Sequence, residues 1–188
     1  MVSSADIETA LVDAVTGIVY PASGALFAGK VTVARGWPTE ADIRNAVSSG
    51  ANLIGIYAIG EMARDVTTVL RCWKTLSPGI GAMEVGRIEQ GFRVDLWAST
   101  PDTRDSLLGL LEPALKFQTR YALSDGSTAT LLRLQASGPN DRPSRADEWA
   151  QSLELIMQYP VLYTQPQPVM TSMTNNNIGL AVAPPSNT

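Results

Sequence analysis

The stretch "FRVDLWASTPDTRDSLLGLLEP", Phe92 to Pro113, changes its period halfway along, and that change decides the fold. Up to Ser99, Phe92, Val94 and Leu96 alternate with Arg93, Asp95 and Trp97. The same alternation reaches back to Ile88 against Arg87 and Glu89, which predicts a strand with one apolar and one polar face. From Thr100 the spacing becomes helical: Thr100 is placed to cap, Pro101 to take the first helical position, and Asp102 and Asp105 to meet the positive end of the helix dipole. Leu107, Leu108, Leu111 and Leu115 then form a buried stripe. Pro113 lacks an N–H and would crowd the carbonyl of Gly109, which predicts a kink or a restart. A joint between strand and helix gives every polar residue here a folding role, so the carboxylates do not call for an active site.

Upstream, Ser3 and Asp6 make a capping box for a helix whose apolar positions Ile7, Ala10, Leu11, Ala14, Val15 and Ile18 run until Tyr20-Pro21. "KVTVAR" reads as a strand ending at Gly36; Thr39 and Asp42 open a second helix that stops at Gly50; "NLIGIYAI" is a mostly buried strand. Lys30 to Ile59 is therefore one strand-helix-strand unit. Residues 64–76 mix a helical spacing of Val66, Val69, Leu70 and Trp73 with the β-branched run "DVTTVL", and the β-branched residues favour a strand. "LSPGIG", 76–81, reads as a turn.

Downstream, "RYALSDGSTATLLRL" is a hairpin turning at Asp125-Gly126, with Leu131 and Arg133 on one parity and Leu132 and Leu134 on the other. A polar loop covers 138–147, and a last strand alternates Leu153, Leu155, Met157 and Tyr159 with Ser152, Glu154, Ile156 and Gln158 until Pro160 ends it. One parallel unit among antiparallel strands predicts an α+β fold: a mixed, mainly antiparallel sheet with helices packed on one face. Residues 1–163 form that domain. Residues 164–188 carry no charge and no helical period, and are expected to be an extended C-terminal arm. A segment this polar does not order itself, so its expected support is a neighbouring subunit or another protein, with packing on its own domain as the alternative, and Ile178, Leu180 and Val182 are the candidate apolar contacts of an added strand.

Composition narrows the function. A net charge of -4 offers no general attraction to phosphate backbones. No run is long and apolar enough to span a bilayer, and no membrane partner is expected. With no histidine, Ser-His-Asp and Cys-His catalysis and histidine metal sites are excluded, and Cys72, the single cysteine, excludes cysteine-pair zinc sites. "GALFAGKV", Gly24 to Val31, matches part of a phosphate loop, but Val31 stands where Ser or Thr would hold magnesium and a strand follows instead of a helix. No catalytic residue, cofactor or metal is expected. Trp97 shares its parity with Arg93 and Asp95, away from the core, which marks these three as a candidate subunit interface. The four tryptophans are otherwise expected in the core.

Two blocks, "ARGWPTEADIRNAVSSGANLIGIYA" with the later "LRCWKTLSP", and "GFRVDLWASTPDTRDSLLGLLEPALKF", resemble structural proteins of tailed bacteriophages. The order of elements is similar to the gpU-like tail-terminator and head-tail joining (neck) proteins over about residues 4–163. The resemblance implies a non-enzymatic virion protein, made in the host bacterial cytoplasm, that forms a homo-oligomeric ring with other neck or tail proteins. DNA would pass through without sequence-specific binding. Two alternatives stand beside it: a tail-tip or fibre-attachment adaptor, and a small hydrolase or nucleotide-binding enzyme using Asp95, Asp102 or Lys30.

Overall fold

The computed structural model describes residues 3–22, 24, 27, 29–65, 73–77, 80–139 and 149–166. Among them are helices α1 (Ser4–Val19), α2 (Glu40–Ser48) and α3 (Pro101–Phe117). The strands are β1 (Val31–Arg35), β2 (Asn52–Asp65), β3 (Trp73–Ser77), β4 (Ile80–Ala98), β5 (Arg120–Ala122), β6 (Thr128–Ala136) and β7 (Trp149–Pro166). They form one sheet in the order β1-β2-β4-β7-β6-β5, with β3 paired to the start of β4. β1 and β2 are parallel and every other described pair is antiparallel, so the fold is mixed α+β. The parallel pair is the predicted strand-helix-strand unit, since parallel neighbours need a crossover and α2 supplies it.

Local chemistry sets the helix starts as the sequence predicts. Ser3 and Asp6 close a capping box on α1, and Thr39 and Asp42 close another on α2, with the Thr39 Oγ1 accepting from the Asp42 N–H at 3.2 Å. The Thr100 Oγ1 accepts from the Thr103 N–H at 3.2 Å, and Pro101 fills the first position of α3. Asp105 lies past the first turn and pairs instead with the buried Arg104 at 2.8 Å. At the β5–β6 turn, Gly126 has φ +81° and its N–H reaches the Leu123 carbonyl at 3.0 Å, a backbone state that glycine alone adopts without strain.

The core lies between α1, α3 and one face of the sheet. Ile7, Leu11, Val15 and Val19 of α1 and Leu107, Leu111 and Leu115 of α3 meet Ile54, Ile56, Phe92, Val94, Leu153 and Leu155. Burying each such side chain stabilises the fold by about 1.5–3 kcal/mol relative to leaving it in water. α1 touches β1 and β2 at one end of the sheet and β5 at the other, so the sheet curls around the two helices.

Several expectations are corrected. The helices do not share one face: α2 packs on the opposite side, where Ile43 and Val47 meet Leu53 and Trp97. α3 does not restart at Pro113 but runs as one helix to Phe117. Gly109 and Pro113 are both exposed, so the carbonyl left without a donor is on the solvent side of the helix, while Leu111 and Leu115 anchor the helix on either side. Pro160 does not end β7, which continues to Pro166 and past the expected domain limit at 163. β6 stops pairing with β7 at Gln158, so at Pro160 that side of β7 is an edge, where a missing N–H costs no ladder bond.

In "LSPGIG", Leu76 and Ser77 belong to β3, and Ile80 and Gly81 to β4, with Ser77 opposite Ile80. A bulge between Leu131 and Arg133 breaks the expected parity: Leu131 and Leu134 both pack against the core, and Leu132 is the extra residue. Within 64–76, residues 64–65 and 73–76 are strand, and 66–72 lie outside the described residues, as does the arm beyond 166. No described helix is long and apolar enough to cross a membrane.

Candidate functional site

The face of the sheet opposite α1 and α3 is where the predicted interface residues fall, and α2 covers only one end of it. β2, β4 and β7 run side by side there, with Leu53, Trp97 and Ala150 in one row, Gly55, Asp95 and Ser152 in the next, and Tyr57, Arg93 and Glu154 in a third. The first row lies beneath α2. Trp97 is 7% exposed, in contact with Ile43, Val47 and Leu53, so it is a core residue of a second, smaller cluster rather than an outward-facing contact. The alternation of β4 assigned its face correctly; the helix covering that face comes from a segment far away in sequence.

Gly55 lets the chain between β1 and α2 lie flat on the sheet. A Cβ there would stand 2.8 Å from the Pro38 Cδ and 3.2 Å from the Trp97 Cζ3. Pro38 is buried as a result, and Trp37 is set between Tyr57 of the third row and Trp97 of the first. Trp37 meets Tyr57 edge-on at 4.9 Å and Trp97 at 5.9 Å between ring centroids, yet it is 62% exposed. The exposed tryptophan of this face is therefore Trp37 and the buried one Trp97, the reverse of the sequence expectation.

The polar groups beside these rings form a chain of contacts. The Tyr57 hydroxyl donates to the Asp95 Oδ2 at 2.6 Å. Burial, then the hydrogen bond and charge of Asp95, push the Tyr57 pKa well above the usual tyrosine range. Arg93 donates to Glu154 across β4 and β7, which raises the guanidinium pKa further. The Arg93 Nε lies 3.9 Å from the Asp95 Oδ1, and both atoms are buried without a hydrogen-bond partner. Arg93 and Asp95 are thus brought together as predicted, but Asp95 is 6% exposed and serves Tyr57 inside the fold.

Farther along the same face, Arg87 donates to Gln158 at 3.0 Å and to Glu84 at 2.7 Å, Gln158 donates to Glu89 at 2.9 Å, and Arg133 donates to Gln135 at 2.5 Å. Ile59, Gly91 and Ile156 interrupt this polar ladder in a single row. Ile178, Leu180 and Val182 lie outside the described residues.

The alternative catalytic residues do not converge here. Asp102 is exposed in the first turn of α3, Lys30 is exposed just before β1, and Asp95 is buried under Tyr57. Among the described residues no three of His, Cys, Asp or Glu stand together as a metal site. Sequence reasoning missed Trp37, Tyr57 and Glu154. A signal for Trp37 was available: "GWPT" puts a tryptophan between a strand end and a helix cap, outside any buried periodicity. No model of a known protein family matches this chain, and a comparison with curated proteins finds no match.

Proposed function

We propose that this chain is a non-enzymatic structural protein of a tailed-phage virion. It assembles into a homo-oligomeric ring at the head-tail interface, as a tail terminator or neck joining protein, with neighbouring neck or tail proteins above and below. The resemblance of residues 34–58, 70–78 and 91–117 to gpU-like proteins is what suggests this family.

The observation that carries the reading is the division of the sheet. One face is closed by α1 and α3. The other, beyond α2, sets Arg87, Arg93 and Arg133 against Glu84, Glu89 and Glu154, with the three arginines each held by an acceptor of the same face. A wall of this kind presents little net charge. It suits the lining of a water-filled channel through which DNA slides, because unpaired cations would hold phosphates and unpaired carboxylates would repel them. Trp37, packed edge-on against Tyr57 and Trp97 and largely exposed at the rim of that wall, is the kind of side chain that anchors a protein contact.

Light scattering of the full chain, followed by electron-microscope images of its main species, tests this. A discrete oligomer with a central hole is expected. A chain that stays monomeric both alone and with neck or tail proteins would sink the reading.

A further inference from the structure

The outer edge of β1 is met by side chains instead of by a strand. The Lys30 carbonyl takes the Asn52 N–H at 2.8 Å and the Ile56 carbonyl takes the Gly36 N–H at 2.7 Å, so the even residues of this stretch bond to β2. The odd ones, Val31, Val33 and Arg35, therefore turn their backbone groups outward. At Val31 the Tyr20 hydroxyl both donates to the carbonyl and accepts from the N–H, each at 2.9 Å. One hydroxyl thus makes the pair of bonds that a residue of a neighbouring strand would make. Past the end of β1, the Glu8 Oε1 accepts from the Ala58 N–H of β2 at 2.9 Å.

Both groups belong to α1. Glu8 lies near its start and Tyr20 caps its end. The helix rises about 18 Å from Glu8 to Tyr20, and β2 advances about 20 Å from Asn52 to Ala58. α1 therefore lies along this edge and is fastened to it at both ends. Tyr20 is 41% exposed, so burial of its ring does not account for where its hydroxyl sits. Between the two fastenings, the outward backbone groups of Val33 and Arg35 have no hydrogen-bond partner among the described residues, and the Arg35 guanidinium donates back to the Thr9 Oγ1 at 3.5 Å.

We infer that Tyr20 and Glu8 are edge guards: they occupy the backbone groups at which a strand of a second copy of this chain would join β1, and so stop the sheet from extending on that side. This goes beyond the ring reading and does not rest on it. An added strand of roughly five to six residues bonds at about three alternate positions. β1 has Val31, Val33 and Arg35 to offer, and the Tyr20 hydroxyl removes the first of them. What is left ends in a charged residue, which itself discourages edge pairing.

The test compares the full wild-type chain with Tyr20→Phe, with Tyr20→Phe/Glu8→Ala, and with Ile18→Ala, which loosens the same end of α1 while keeping both guards. In sedimentation at rising concentration, the double variant is expected to form species at least about twice the mass of the largest wild-type species, and Ile18→Ala none. In those species, hydrogen exchange at Val33 and Arg35 is expected to be about tenfold or more slower than in the wild type, because a joining strand would pair these amides. A folded double variant with the wild-type mass distribution overturns the inference, as do larger species without that protection. Equal growth of Ile18→Ala traces the association to a loosened helix and overturns it too. If the double variant does not fold, Tyr20→Phe alone is judged by the same two readings. The ring stands or falls on the wild-type chain by itself, whichever of these results is found.

Discussion

β4 can be compared with itself across its own pleat. Its even residues Phe92, Val94 and Leu96 enter a core closed by two helices, while its odd residues Arg93, Asp95 and Trp97 face a side that one short helix covers in part. The first face is made mainly by apolar burial, with the Tyr159 hydroxyl donating to the buried Gln90 Oε1 at 3.1 Å within it. The second is graded along the strand: apolar under α2, aromatic and hydrogen-bonded beside Trp37, charged and open beyond. A large core and a mixed apolar, aromatic and polar surface are therefore assigned to alternate residues of the same strand.

Truncating each face in turn measures this division most directly. Phe92→Ala removes a fully buried ring and is expected to cost about 3–5 kcal/mol of unfolding free energy in urea. Trp97→Ala is expected to cost about 3 kcal/mol, because its cluster with α2 is small and bounded by the sheet edge. Had Trp97 been an outward contact, the same change would leave the monomer within about 0.5 kcal/mol of wild type. A neutral Trp97→Ala would thus show that α2 does not close this end of the sheet.

The features legible in the sequence were those decided within a few residues. Thr100-Pro101, Thr39 with Asp42, and Asp125-Gly126 each complete their hydrogen bonds locally, and each lies where predicted. What escaped depends on distant chain. Whether Trp97 is covered depends on Ile43 and Val47 arriving over it, and whether Pro160 interrupts β7 depends on where β6 ends. The bulge at Leu132 shifts parity through strand pairing, which no local pattern encodes. The candidate site was half visible for the same reason. Arg93 and Asp95 share a strand, but Tyr57, Glu154 and Trp37 join them from β2, β7 and the chain before α2.

A smaller effect probes the aromatic corner. Tyr57→Phe leaves the Asp95 Oδ2 without its donor in a buried position, with an expected loss of about 1–3 kcal/mol. Alkali acts on the same bond. The folded pKa of Tyr57 is raised, so the unfolded chain loses its proton first; stability is complete below about pH 10 and falls as pH rises above it. Tyr121, pushed up to about 12 by burial, adds to that loss on the core side. Denaturation midpoints from pH 8 to 11 check the sign, and Tyr57→Phe should flatten the slope without abolishing it.

The smallest effect is expected on the open ladder. Glu154 and Arg93 are both substantially exposed to solvent, so Glu154→Gln should change stability by no more than about 1 kcal/mol, and by less in high salt. The geometry gives a further reason for a small loss. Released from Glu154, Arg93 still faces the Asp95 Oδ1 at 3.9 Å, and both the Arg93 Nε and that oxygen lack a hydrogen-bond partner. A short movement of the guanidinium closes that gap and replaces one ion pair with another. Asp95→Asn on top of Glu154→Gln removes the replacement, so the double variant should lose more than the sum of the two single changes. Strict additivity in a double-mutant cycle would mean that Arg93 does not exchange partners, and that the charged and aromatic parts of this face are independent.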